Sequence, residues 1–117
     1  MIIGIGVDTV EHERVRRAVE SARFARRVFT DAELAMPLPS IAARFAAREA
    51  VVKALHGLHG LELRDLEVLR TPLARPEFAM PPRLRDTLAR LGVDALHLSL
   101  AHDTTTATAF VIAERRA

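Results

Sequence analysis

Three charged side chains have types and spacings that could do chemistry: Asp8, which closes a Gly4-Ile5-Gly6-Val7 run, and Glu49 and Lys53, one helical turn apart. Lys53 is the only lysine in a chain whose other cationic side chains are arginines, and a compact ammonium does different work from a planar guanidinium. Taken alone, Glu49 and Lys53 fit an ordinary i,i+4 surface pair worth about 0.3 kcal/mol, and spacing by itself favours that reading. Asp8 has an equally plain reading as an N-cap or Asx turn entering a helix. The sharper reading joins them. Two carboxylates on separate elements suit Mg²⁺, which keeps much of its hydration and takes one or two protein carboxylates beside substrate phosphates. Gly4-Ile5-Gly6 is no dinucleotide fingerprint, because the third glycine and the helix that should follow at once are missing.

His97, Ser99 and His102 form another polar cluster. A serine between two histidines invites a nucleophile-and-base reading, but no acid stands where it could orient the base, and there is no nucleophile elbow. His102 reads as a turn residue near a substrate cleft, and Ser99 as structural or phosphate-binding. His12, His56 and His59 lack metal-ligand spacing and read as solvent or packing residues. With no cysteine, disulfides, thiolate metal sites and thiol nucleophiles are all excluded.

The elements that must position these groups follow from periodicity. Ile2 to Val7 reads as a strand with Ile3, Ile5 and Val7 on one face and Gly4, Gly6 and Asp8 on the other. From about Glu11 to Arg27 the pattern is helical, with Val15, Ala18, Val19 and Ala22 on one stripe and six arginines around the rest. Thr30-Asp31-Ala32-Glu33 has the form of a capping box opening a short helix that stops before Pro37 and Pro39. Ser40 is the expected N-cap of a central helix running to about His56 and closed by Gly57. On that helix Glu49 and Lys53 share a stripe with Ala42 and Ala46. Leu66 to Leu69 and Phe78 to Met80 read as short strands joined by a turn over residues 71–76. Pro81 and Pro82 open a helix ending at Gly92. Ala95 to Leu100 and Thr105 to Ala113 read as a β-hairpin turning at residues 101–104. The order predicts an α+β fold, with a mainly antiparallel sheet packed against a long central helix, in a single domain spanning 1–117.

At 117 residues with 50% hydrophobic but only 4% aromatic content, the core must be thin, and self-association would supply the missing apolar burial. Neither a signal peptide nor a membrane span is visible, which points to a cytoplasmic protein. Nucleic acid is a poor fit despite the basic first helix, since no aromatics interleave its arginines and no reading-helix or finger motif is present.

Gly4-Ile5-Gly6-Val7-Asp8, the block Arg44-Phe45-Ala46-Ala47-Arg48-Glu49-Ala50-Val51-Val52-Lys53-Ala54-Leu55, and His97-Leu98-Ser99-Leu100-Ala101-His102-Asp103 resemble, in order and spacing, the holo-acyl-carrier-protein synthases. These are the small trimeric members of the 4'-phosphopantetheinyl transferase superfamily, and the likeness covers nearly the whole chain. It implies their fold, and transfer of 4'-phosphopantetheine from coenzyme A to a serine of an apo-acyl carrier protein. It further implies Asp8 and Glu49 as Mg²⁺ ligands, Lys53 near the transferred phosphate, Arg44, Arg48, Lys53 and His102 as coenzyme A contacts, and a homotrimer. Arg14, Arg23 and Arg27 become the expected seat of an acidic carrier protein. A non-catalytic trimeric module binding an acidic partner is the alternative.

The chain departs from the family pattern in four places. Arg48 stands where a lysine is usual, Glu33 to Ser40 is short, His56-Gly57-Leu58-His59-Gly60 replaces a glycine-rich continuation, and Arg75-Pro76 replaces Lys-Pro. The carrier could belong to fatty-acid synthesis or to a polyketide or other secondary pathway.

Overall fold

The computed structural model describes residues 1–116. Strand β1 (Ile2–Glu11) is followed by helices α1 (His12–Val19), α2 (Ala22–Val28), α3 (Asp31–Leu34) and α4 (Leu38–Leu55). A 3₁₀ turn at Leu63–Asp65 leads into the two-stranded ribbon β2 (Val68–Arg70) and β3 (Pro76–Phe78). Helix α5 (Pro82–Leu91) then precedes the hairpin β4 (Ala95–His102) and β5 (Thr106–Glu114). The main sheet has the order β1-β5-β4, antiparallel throughout, and α4 lies along its inner face. This is the α+β arrangement the pattern of elements predicted.

Where β1 and β5 meet α4 that inner face is made mostly of small residues, while β4 adds Leu96, Leu98 and Leu100. Ala107, Ala109, Val111 and Ala113 from β5 are fully buried against Ala42, Ala46, Ala50 and Ala54 of α4. Small side chains on both surfaces let helix and sheet approach closely, so a core poor in aromatic bulk still closes. Gly4 and Gly6 carry this to its limit. A Cβ on Gly4 would sit 1.9 Å from the Ala54 carbonyl oxygen, and one on Gly6 would sit 1.9 Å from that of Ala50. The backbone of β1 therefore rests directly on the backbone of α4. The opposite face of the strand is open, with Ile5 58% and Val7 52% exposed beside Phe110, which pairs with Val7.

The boundaries differ from the sequence reading where side chains compete for backbone groups. The single helix expected from Glu11 to Arg27 is two helices, because Ser21 turns outward and its Oγ accepts from Phe24 N at 3.2 Å to start α2. The central helix begins at Leu38 rather than after Ser40: Pro37 occupies the cap position and Pro39 the first turn, where no N–H is required. It ends at Leu55, and the left-handed capping conformation falls on His56, one residue before the expected Gly57. The ribbon lies at Val68–Arg70 and Pro76–Phe78, so β2 starts two residues later than predicted and β3 two residues earlier. In the last hairpin β4 runs two residues further than expected, to His102, and β5 starts one residue later. Between them the Asp103 carboxylate accepts from Thr105 N at 2.8 Å and Thr106 N at 2.7 Å, bonds that hold the carboxyl down at about 2.

Gly6→Ala must push β1 off α4, since a carbonyl oxygen cannot yield as a flexible side chain does. Denaturant unfolding is expected to show a loss of about 3 kcal/mol or more, against little change for an alanine at exposed Thr9.

Candidate active site

The glycine contact decides where the charged residues meet. Asp8 follows Gly6 on the inward face of β1, and Glu49 and Lys53 flank Ala50 and Ala54, the residues on which the glycines rest. The Lys53 Nζ donates to the Val7 carbonyl at 2.9 Å and to Asp8 Oδ1 at 3.1 Å. The ammonium thus bridges helix and strand, so the simple surface pair with Glu49 gives way to a cross-element contact. Nor is Asp8 a helix cap: α1 starts four residues later, behind Glu11, which makes no side-chain cap bond.

Glu49 is half-buried, and its carboxyl is held above the ordinary glutamate value. Burial is the leading cause and the negative charge of Asp8 the next, with Lys53 and then Arg14 acting in the opposite sense. A Glu49 carboxyl whose ionisation the Asp8 charge opposes, beside a single ammonium, belongs to a donor set that a divalent cation would relieve. Among the described residues no group of three or more His, Cys, Asp or Glu is placed to hold a metal. Asp8 and Glu49 together therefore offer an incomplete oxygen shell, which fits Mg²⁺ shared with ligand phosphates and does not fit a closed protein cage.

A cavity opens at the other end of the α4–sheet seam, between α4, the β2–β3 ribbon and the end of β4. Ser40, Arg44, Arg70, Pro76, Leu100 and His102 line it. The Arg44 guanidinium is anchored by Nε to the Val68 carbonyl at 3.2 Å and by Nη1 to the Ser40 carbonyl at 3.2 Å. Burial lowers its pKa; Glu33 opposes that, while nearby Arg70 and Arg48 push the same way as burial. With two guanidiniums, an imidazole and no acid in its lining, the cavity suits an anion.

Arg48 is a correction to the expected ligand contacts. Its side chain is fully buried, forked onto Glu33 with Nη2–Oε1 at 2.6 Å and Nη1–Oε2 at 3.0 Å, and its Nε donates to the Leu63 carbonyl. All the donors are turned into protein and none toward a ligand. The sequence signal for Glu33 was its capping box, which does form, and that accounted for the residue so fully that its partnership with Arg48 could not be read. Arg70 was missed for a different reason: an exposed arginine on a short strand has no distinguishing pattern.

Arg14, Arg23 and Arg27 are all exposed, and Arg14 is close enough for its charge to act on Glu49. Neighbouring Arg16 is instead tied to Glu13 and Glu20 on its own helix. The serine–histidine cluster comes apart. His97 and Ser99 face the open side of the sheet, where His97 Nε2 meets Glu114 Oε1 at 2.9 Å, whereas His102 faces inward toward the cavity. His12 is buried with its ring 6.3 Å from that of His102, a packing role in line with the sequence reading.

A family model described as the 4'-phosphopantetheinyl transferase superfamily matches residues 4–111. The chain belongs to this superfamily. A holo-[acyl-carrier-protein] synthase of Clavibacter michiganensis subsp. michiganensis is 44% identical over 115 residues, covering 97% of each chain. The crystal structure of the holo-[acyl-carrier-protein] synthase from Neisseria meningitidis superposes with a TM-score of 0.89 at 35% identity, covering 98% of this chain and 100% of that one. The Helicobacter pylori enzyme in complex with coenzyme A gives 0.81 at 26% identity, covering 94% of this chain and 99% of that one. Holo-acyl-carrier-protein synthases are thus the members of the superfamily to which the whole length of this chain is similar.

The raised Glu49 carboxyl has a consequence for stability. The folded state binds this proton more tightly than the unfolded chain does, so stability falls as pH rises from about 4.5 through the higher folded value. In metal-free buffer, Glu49→Gln is expected to remove that part of the slope and to raise the melting temperature at neutral pH. Thermal unfolding from pH 4 to 8 reads it directly, and an unchanged slope would mean that Glu49 is not held ionised against its surroundings.

Proposed function

We propose that this chain is a cytoplasmic holo-acyl-carrier-protein synthase, transferring 4'-phosphopantetheine from coenzyme A to a serine of an apo-acyl carrier protein and releasing adenosine 3',5'-bisphosphate. The observation that carries the proposal is the meeting of Asp8, Glu49 and Lys53 across the β1–α4 contact, at the positions where the family places its reacting groups. The named relatives and the neighbour holding coenzyme A support the same reaction. Three charged groups converging on one point are not what a non-catalytic binding module needs to keep.

The chemistry divides among the residues. The serine hydroxyl oxygen attacks the phosphorus that bears pantetheine, the bond from that phosphorus to the diphosphate bridging oxygen breaks, and adenosine 3',5'-bisphosphate leaves. Phosphoryl-type transfer of this kind is governed by alignment and charge neutralisation. Glu49 receives the serine proton, either on a carboxylate oxygen or through an intervening water, since it is the carboxylate that flanks the Asp8–Lys53 contact. Lys53, half-exposed and already poised between Val7 and Asp8, balances negative charge on the transferred and departing phosphates. Asp8 and Glu49 are the residues that would hold Mg²⁺, which when bound would draw charge off the diphosphate. Arg44 and His102 hold the coenzyme at the cationic cavity.

The acidic carrier protein docks on the exposed arginines of α1 and α2, Arg14, Arg23 and Arg27, which brings its serine to the Glu49 side of the molecule. The exposed apolar face of the sheet, with Ile5, Val7 and Phe110, fits the trimer of the family, because burying it in subunit contacts removes about 25 cal/mol per Å² of apolar surface from water. Among the described residues no helix is long and apolar enough to cross a membrane.

Incubation with coenzyme A, Mg²⁺ and apo-acyl carrier protein should add the phosphopantetheine mass to the carrier, and Glu49→Gln should abolish the addition while leaving the circular dichroism spectrum unchanged. No mass change across several carriers would overturn the assignment. Val7→Glu is expected to convert a trimer to monomers in sedimentation; a wild-type monomer at micromolar concentration would remove the trimer from the proposal.

A further inference from the structure

The cationic cavity has one wall that the central helix does not supply. Arg70 and Pro76 reach it from the β2–β3 ribbon, whose strands are three residues each. A two-stranded ribbon of that length has no stability of its own. β3 packs against β4 and Thr30 Oγ1 donates to Glu67 beside β2, but the buried anchor of the ribbon is Val68, where β2 begins. Both backbone groups of Val68 are taken by side chains from the helices: its N–H donates to Glu33 Oε2 at 3.1 Å, and its carbonyl accepts from Arg44 Nε at 3.2 Å.

Glu33 is the hub of this attachment. Beyond Val68, its carboxylate accepts from Thr30 N at 3.0 Å and from both terminal nitrogens of Arg48. Arg48 is fixed in turn by the Leu63 and Arg44 carbonyls, with Phe29 under its guanidinium. A fully buried carboxylate whose oxygens all carry partners rigidly links α3, α4 and β2. Two residues beyond Val68, on the same side of the strand, stands Arg70.

We propose that Glu33 is a positioning residue for coenzyme A: through Val68 it fixes the β2–β3 ribbon so that Arg70 faces His102 and Arg44 across the cavity and completes a cradle for a phosphate group of the ligand. Glu33 and Arg48 cannot touch that ligand, since neither is accessible; they act through where they hold Arg70. The inference rests on the coenzyme A reading given above.

The test is a mutant cycle in transfer kinetics with coenzyme A, Mg²⁺ and apo-carrier protein. The variants are Arg70→Ala, the paired substitution Glu33→Gln with Arg48→Met, and the triple variant. The paired form is used because Glu33→Gln alone strands a buried guanidinium. Arg70→Ala is expected to raise KM for coenzyme A about tenfold, with kcat and the carrier KM little changed. The paired substitution should do the same, and the triple variant should be no worse than either. Multiplication of the two effects in the triple variant, or an equal rise in the carrier KM, would assign Glu33 a general structural role and overturn the proposal. So would an unchanged KM in Arg70→Ala.

If the paired variant does not fold, Arg48→Lys, which keeps the charge but gives up the fork, carries the same cycle. Its rise of about threefold in KM should vanish in the Arg70→Ala background, and a rise that persists there overturns the proposal. An inactive wild-type protein with well-folded spectra would instead refute the coenzyme A reading itself, and this inference with it.

Discussion

The arrangement depends on one close contact, the backbone of β1 lying on the backbone of α4 at Gly4 and Gly6. Side chains of any size at these positions would hold strand and helix apart by the thickness of a methyl group or more. At that greater separation the Lys53 ammonium could not reach both the Val7 carbonyl and the Asp8 carboxylate. Nor would the Asp8 charge act so strongly on Glu49. The glycines do no chemistry, yet they set the distance over which the chemical groups interact. The alanine-lined surfaces of α4 and β5 extend the same close packing across the sheet.

The central helix serves two sites with different physics. Toward β1 it offers Glu49 and Lys53, half-buried or exposed, where charge is incompletely balanced and open to a ligand. Toward α3 and β2 it offers Arg44 and Arg48, buried and bonded to carbonyls and to Glu33. Removing two charges from water for the Glu33–Arg48 pair is unfavourable in itself, and the attraction between them offsets it only because the remaining donors and lone pairs also find partners. The first group is left with charge unbalanced, and the second is made rigid by the completeness of its bonds.

Much of this was legible in the sequence. The α+β order, the capping box at Thr30, the left-handed end of α4 and the final hairpin follow from local rules, and each is present. The three charged residues could be singled out by type and spacing, and the family resemblance implied their meeting; spacing alone could not, since an i,i+4 pair on a helix and an aspartate after a strand look alike with or without a shared site. What remained illegible is non-local. The break at Ser21 turns on a side chain preferring Phe24 N to continued helix. The burial of Arg48 depends on Glu33, fifteen positions away, and nothing about an arginine on a helix says which carboxylate it will meet. Arg44 and Arg48, one turn apart and alike in sequence, differ because only the first lines a cavity.

Alternation along β1 has an evolutionary corollary. Even-numbered positions from Gly4 to Asp8 face the helix, and odd-numbered positions from Ile5 to Thr9 face outward. Insertion or deletion of one residue within this stretch would exchange the two sets, driving Ile5 or Val7 into a space that admits no side chain and swinging the carboxylate to the far side. The spacing between the glycines and Asp8 is therefore fixed in pairs. Length variation among descendants of this chain must be absorbed elsewhere, in segments such as the connection between α3 and α4 or the exposed turn between β2 and β3.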